Sequence, residues 1–360
     1  MRFLIFCLSV LSLSSATQAQ SMKAFTKFGE GFTTKKDSEI VVENMPRVMS
    51  QDTLGLCYSF AATAVMQANN CRIMKQDCKS LPESEMFSPL DVARFGQDPD
   101  GETEYESSYR GINDGGPGAF TLQIAANFIG NSASEACMSL DKLLGKMDGA
   151  KFGTETQAEA FESLKTLYKK SKKIEASCEK CKADFIEEAK KSIDQDFCVK
   201  KDQVALLKAF NEETYEKFFD RLVTPSECAR AKNRAYFEGK DSTEIKLFPE
   251  EKKDLNYKSV MKKLKSTLEK KLPVLLQNIC LDEKKPKKQD DCQNKHATVI
   301  SGYARKCDGA GNCYDAVKIH NSWGEAWQKA YNGGWVAADE LFKHIYIEKE
   351  TLSWLEDIPK

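Results

Sequence analysis

Apolar residues in this chain follow helical spacing in several blocks and form short continuous runs in others. Gly55 makes a turn ahead of Cys57, and Ala61, Ala64, Val65 and Ala68 then recur at helical intervals. That spacing predicts a helix opening at Cys57 with one face buried. At Phe87-Ser88-Pro89-Leu90-Asp91, Ser88 is suited to cap a second helix and Pro89 to its first position. The glycine-rich stretch Gly111-Ile112-Asn113-Asp114-Gly115-Gly116-Pro117 reads as a turn before a helix over 120–128. From about Asp141 to Lys253 the pattern changes. Lys and Glu dominate there, with helical periodicity near 157–170, 183–192 and 203–221, as expected of helices with solvated faces. Val260, Leu264, Leu268 and Leu272 then mark one face of a further helix. Pro273-Val274-Leu275-Leu276 is a short buried strand, and Ala297–Tyr303 is another, with Tyr314–Ile319 as its hairpin partner. Gly333-Gly334-Trp335-Val336 opens a closing strand.

The N-terminus differs from all of this. Met1-Arg2 precedes an apolar run from Phe3 to about Leu13, and small residues follow, ending Ala16-Thr17-Gln18-Ala19. Residues 1–19 read as a secretory signal peptide, too short to span a bilayer. The next polar residues, 20–40, read as a loose N-terminal strap. No later stretch has the length and apolarity of a membrane span, so the expected mature protein is soluble, secreted or periplasmic, and likewise without an integral membrane segment. With 360 residues, 41% apolar and 30% charged, the chain suffices for one large domain or two modest ones. Its formal net charge of −1 gives no reason to expect nucleic acid or an anionic membrane as partner.

Export changes how the cysteines are read. Of 13 Cys, Cys7 lies in the signal segment, and setting Cys57 aside leaves 11 for disulfides. Cys71 with Cys78, Cys280 with Cys292, and Cys307 with Cys313 are close in sequence and are expected to pair. Cys178, Cys181, Cys198 and Cys228 supply two more bridges in an order that spacing leaves open, with Cys137 left over. Cys178-x-x-Cys181 also has zinc-ligand spacing, but without a second such pair disulfides are the expectation.

Cys57 is the candidate nucleophile. At a helix start it faces unpaired N–H groups and the positive end of the helix dipole, which favour thiolate over thiol. The alternative is a buried or disulfide-bonded structural Cys. The chain has only three histidines, His296, His320 and His344. His320 adjoins Asn321 on an extended strand, so the two side chains should point to opposite faces. His344 stands in no motif.

Order and context then become specific. Gln51 lies six residues before Cys57, Leu54-Gly55-Leu56-Cys57-Tyr58 matches the pattern Cys-Gly-[Ser/Ala]-Cys-[Trp/Tyr] at Gly55, Cys57 and Tyr58, and Asn321-Ser322-Trp323-Gly324 precedes a second tryptophan, Trp327. With His296 between, the chain resembles the papain-family cysteine peptidases in the order Gln, Cys, His, Asn. Phe87–Asp91 and Gly111–Gly116 resemble two further family segments. Leu54 and Ile112 stand where the family has a disulfide, so both halves of that bridge are replaced by aliphatics. Tyr58 replaces the commoner Trp, and Lys295 stands where Asp or Asn often precedes the His.

The resemblance implies an α+β, papain-like two-lobed fold. A helical lobe at 41–140 carries Cys57, and a β-rich, barrel-like lobe at 254–360 carries His296 and Asn321. Cys57 and His296 are 239 residues apart, against roughly 130–150 in the family. Residues 141–253 are therefore read as an inserted, cysteine-containing α-helical subdomain, expected to govern access or partner choice or only to add bulk. The resemblance further implies a cysteine endopeptidase acting on peptide or protein through an acyl-enzyme. Cys57 is the expected nucleophile, a thiolate held as an ion pair by His296, which then protonates the leaving amine, with Asn321 the residue orienting His296 and Gln51 an oxyanion donor. Gly115 and Gly116 are expected to lie along the substrate and Trp323 to shield the histidine. No cofactor or metal is implied, and a monomer is expected. A binding protein on the same fold with catalysis lost, and an amidase or transamidase using the same residues, are the alternatives. The segment 20–40 is too short for the helical propeptide usual in the family.

Overall fold

A computed structural model describes residues 24–94, 96, 111–145, 154–175, 177–250, 256–282, 292–347 and 350–359. The signal-peptide reading of 1–19 lies outside the described residues. The Lys-rich run 283–288, which the sequence reads as a loop leading to Cys292, lies outside them too.

Helix α1, Cys57–Met74, runs through the middle of the molecule. Fourteen of its 18 residues are buried, so the expectation of a single buried face is exceeded. Two apolar clusters meet on it. Cys57, Ala61, Val65 and Met66 join a cluster with Leu275, Val299 and Ile319 of the sheet. Tyr58 and Phe60 join a second cluster with Phe161, Leu164, Phe197 and Phe218 from the helices at 154–223. The three amide side chains buried with α1 each find partners. Gln67 Oε1 accepts the Phe87 N–H, Asn69 Nδ2 donates to the Val65 carbonyl, and Asn70 joins Tyr236 O and Glu238 N. A buried amide without such partners costs about 1–3 kcal/mol. α1 ends at Lys75, which adopts a left-handed conformation (φ 56°).

Short elements follow. α2 (Pro89–Ala93) is capped by Ser88, whose Oγ accepts the Asp91 N–H, with Pro89 in the first turn as the sequence predicts. α3 (Gly118–Gln123) continues through a wider π-type turn at Ile124–Ile129 into strand β3 (Asn131–Ala133). After α4 (Leu140–Leu143) come α5 (Thr154–Ser171), α6 (Glu179–Asp196), α7 (Gln203–Phe210) and α8 (Tyr215–Val223). The helical pattern over 203–221 is thus two helices. The break comes where Thr214 Oγ1 caps α8 by accepting the Lys217 N–H.

The main sheet is antiparallel. Strands β5 (Thr243–Phe248), β10 (Leu352–Asp357), β6 (Val274–Cys280), β7 (Lys295–Cys307), β8 (Cys313–His320) and β9 (Trp335–Ala337) lie in that order. α9 (Tyr257–Glu269) turns Val260, Leu264 and Leu268 into the same core, and α10 (Gly324–Ala330) and α11 (Ala338–Lys343) are the last helices among the described residues. Three features depart from the expected pattern. The closing strand is β10, seated between β5 and β6, while β9, opened by Gly334 and Trp335, pairs with β8 and bridges to Lys27 through Val336. β5 comes from within 141–253 and pairs all six residues with β10, and β4 (Arg234–Tyr236) pairs with β3. The stretch 234–248, grouped by composition with the charged helices, is therefore built into sheets.

The third departure is the strap. Residues 24–41 are not loose. β1 (Thr33–Thr34) pairs with Cys307 and Lys306, and β2 (Ile40–Val41) pairs with Tyr303 and Gly302. β7 is long enough for one edge to serve β6 up to Ile300 and then β2 and β1 from Gly302 to Cys307. Ahead of them Ala24 and Phe25 are almost fully buried.

Five disulfides are formed among the described residues. Cys71–Cys78, Cys280–Cys292 and Cys307–Cys313 pair as sequence proximity suggests. Cys178 pairs with Cys181 and Cys137 pairs with Cys228, leaving Cys57 and an exposed Cys198 free. The expectation that Cys137 stands over is overturned by strand pairing. The β3–β4 ladder and the Ser134 N–H to Asn233 O bond bring two segments about 100 residues apart side by side, with Cys137 and Cys228 next to them. Among the described residues no helix is long and apolar enough to cross a membrane.

Candidate active site

Strand pairing builds the site. β7 and β8 are in register with Val299 opposite His320, and continuing that register places His296 across from Trp323. The two rings stack with centroids 4.6 Å apart and planes 27° from parallel. Between them in sequence, Asn321 directs Oδ1 at His296 Nε2, 2.9 Å away in a buried position. The same Oδ1 accepts the Ser322 N–H at 2.9 Å. An oxygen only accepts, so these two contacts put the proton on Nε2 and leave Nδ1 as the free ring nitrogen.

α1 supplies the thiol. Cys57 is its first residue, follows a Leu56 with no side-chain cap, and packs beside β7. Backbone N–H groups of Ala297, Tyr58 and Cys57 lie near the sulfur. These N–H groups pull the thiol pKa down as the helix start predicts, but burial is the larger effect and pushes it up. Burial likewise lowers His296 to about 4, against the opposing Asn321 hydrogen bond. Both shifts favour a neutral thiol beside a neutral imidazole in the free protein. This corrects the expectation of a standing thiolate: the dipole of a helix end is outweighed by removal of water.

Gln51 is buried beside them. Its backbone N–H donates to Ser322 O at 2.8 Å, its Oε1 accepts the Ser322 hydroxyl at 2.5 Å, and Nε2 donates to Leu54 O at 2.7 Å. One amide hydrogen is so committed, and the second remains for another acceptor. Gly55 N–H donates to Asp114 Oδ1 at 2.8 Å, and Gly115 N–H to Gly55 O at 2.9 Å, which locks the loop before Cys57 to the glycine turn. Gly115 has φ 101°, a conformation that suits glycine, and open space where a side chain would be. Gly116 is small for another reason: a Cβ there would meet Gly96 O at 2.8 Å and the Tyr58 ring at 2.9 Å.

Gln51, Cys57, Gly115, Gly116, His296 and Trp323 all line one cleft of about 1020 Å³. Asn321 lies behind His296, 1% exposed. The other histidines are elsewhere. His320 borders a small internal space with Ala61, Ala64 and Phe87, and buried His344 holds the Cys280 N–H through its carbonyl.

Sequence reasoning missed three contributors. Ser322 orients both Gln51 and Asn321. Asp114 ties down Gly55. Phe25 stands edge-on to His296, Trp323 and Trp327 at 6.1, 5.5 and 5.4 Å. The available signal was three phenylalanines, Phe25, Phe28 and Phe32, within a segment otherwise polar.

No family model matches the chain, and no curated protein matches it. Among solved structures it is similar to xylellain, a cysteine protease from Xylella fastidiosa. The identity is 13%, coverage is 93% of this chain and 92% of that one, and the TM-score is 0.42. It is also similar to PepW from Lactobacillus rhamnosus, at 13% identity, 93% and 83% coverage, and a TM-score of 0.40.

Proposed function

We propose that the protein is an exported, papain-like cysteine endopeptidase of two lobes. The first carries Cys57, the second carries His296 and Asn321, and the helices α5–α8 form an inserted subdomain. The observation that supports this most is the fixed tautomer of His296. Asn321 Oδ1 holds Nε2–H, so the remaining nitrogen is a base on the cleft that Cys57 also lines.

Starting from the neutral pair, His296 Nδ1 accepts the Cys57 proton as sulfur attacks a peptide carbonyl, so charge develops only with bond formation. The Cys57 N–H and the second Gln51 amide hydrogen donate to the developing oxyanion, each donor typically worth about 3 kcal/mol. The imidazolium then protonates the leaving amine, and water resolves the thioester with His296 again acting as base. Trp323, stacked on the imidazole, keeps bulk water from the His296–Asn321 bond.

Turnover of an internally quenched peptide, paired with alkylation by limiting iodoacetamide near pH 6, tests this reading. The expected result is cleavage abolished by Cys57→Ser, with Cys57 labelled ahead of the exposed Cys198 only where His296 is present to take the thiol proton as sulfur attacks the reagent. Cys57 labelling no faster than Cys198 and unchanged in His296→Ala, with no peptide cleaved, sinks it in favour of a binding protein. Product trapped on an added amine instead of water points to the transamidase alternative.

A further inference from the structure

Behind the loop that presents Cys57 is a second pocket, of about 390 Å³. It shares Thr53, Leu54, Gly55 and Asp114 with the main cleft, so the two open along a common rim. Its other side is made by the helices peculiar to 154–223. α5 contributes Phe161, Glu162 and Lys165, and α8 contributes Tyr215, Glu216 and Phe219.

This wall is held firmly. Ile112 N–H donates to Glu216 O at 3.2 Å. Gly111 has φ 91°, and a Cβ on it would lie 2.3 Å from the Glu216 backbone, so the first turn of α8 rests directly on the glycine loop. Leu54 and Ile112 both face the pocket.

The lining has a definite chemistry. Buried Phe161 and Phe219 and half-buried Tyr215 and Leu54 make an apolar floor and sides. Three carboxylates, Asp114, Glu162 and Glu216, accompany one ammonium, Lys165, which bonds Glu162 at 2.9 Å and stands 6.0 Å from the Tyr215 ring centroid. The balance is two negative charges in excess beside aromatic surface. A long cationic side chain suits such a site, its methylenes lying along the rings and its head group at the carboxylates. A glutamate would meet repulsion there, and an aliphatic residue would leave the carboxylates unmatched.

On the peptidase reading above, we propose that this pocket is a substrate subsite for a lysine or arginine side chain. A peptide lying in the main cleft would reach it across the Gly55–Asp114 rim.

The test uses the full-length protein and a set of quenched peptides. A single arginine is moved through the second to fourth positions before the scissile bond, against norleucine or glutamate at the same place. Each peptide's kcat/KM is measured for the wild type, Glu216→Gln and Glu216→Lys, with binding to Cys57→Ser and Cys57→Ser/Glu216→Lys followed by fluorescence anisotropy. At one position arginine should exceed norleucine by about tenfold, mainly through KM, and norleucine should exceed glutamate. The arginine-to-norleucine ratio should fall in Glu216→Gln and reach about one in Glu216→Lys. Cleavage without preference at any position overturns the subsite and leaves the peptidase reading standing. Absence of cleavage with arginine-selective binding that Glu216→Lys removes keeps the subsite and overturns the peptidase reading. Neither cleavage nor selective binding overturns both.

Discussion

The edge of the Phe25 ring meets His296 at a centroid separation of 6.1 Å with the planes 89° apart. With Trp323 stacked on the same imidazole, a residue from the N-terminal strap and one from the β8–α10 junction confine the ring together. Phe25→Ala removes a nearly fully buried aromatic, which typically costs about 3–5 kcal/mol. The expected result is a lower thermal midpoint together with a kcat loss larger than any KM change, and Phe25→Leu recovering part of both. Stability lost with kcat intact would mean that Phe25 only fills space.

His296 at about 4 sets an expectation for pH. Below that value the ring is protonated and cannot accept the Cys57 proton, so kcat/KM should fall on the acid side near pH 4 instead of near 6.5. Asn321→Asp places a carboxylate against Nε2, favours the imidazolium and should move that limb to higher pH. Asn321→Ala should leave the limb acidic and cut kcat by about 100-fold through loss of ring orientation. An acid limb unmoved by Asn321→Asp would separate His296 from the titration.

Glu135 gives a stability prediction independent of catalysis. It is 2% exposed, and burial raises its carboxyl to about 7, against a hydrogen bond from Ser139. The unfolded carboxyl ionises near its ordinary value while the folded one resists. Stability present below about 4.5 is therefore lost as pH rises through about 7. Glu135→Gln should raise the thermal midpoint at pH 8 and give no gain at pH 4.5. Equal shifts at both values would exclude the titration of Glu135 as the cause.

The Cys137–Cys228 bridge closes a separation of 91 residues. Bridges over long loops stabilise by about 2–5 kcal/mol. The double variant Cys137→Ser/Cys228→Ser should unfold at clearly lower denaturant, whereas Cys198→Ser should match the wild type. Non-reducing peptide mapping that found Cys198 joined to Cys137 or Cys228 would falsify the assignment.

Much of the site was legible in the chain because its parts are local. A glycine turn ahead of apolar helical spacing marks where Cys57 opens α1. An apolar run, a cysteine-closed loop and a second run mark the β7–β8 hairpin that carries His296 and ends one residue before Asn321. Ser88 and Pro89 specify their own helix start in four residues. The disulfides Cys71–Cys78, Cys280–Cys292 and Cys307–Cys313 follow from proximity alone.

What the tertiary structure decided are the partners of surfaces distant in sequence. Periodicity says that Phe60 and Ala61 are apolar, but not that one faces the α5–α8 cluster and the other the sheet. The seat of β10 between β5 and β6 and the pairing of Cys137 with Cys228 arise because β ladders join segments that share no local signal. Phe25 reaches His296 because β1 and β2 dock on the free edge of a long β7. Removal of water then set the protonation of Cys57 and His296 against the local dipole, since burial depends on every element packed around them and the dipole only on the helix that bears the thiol.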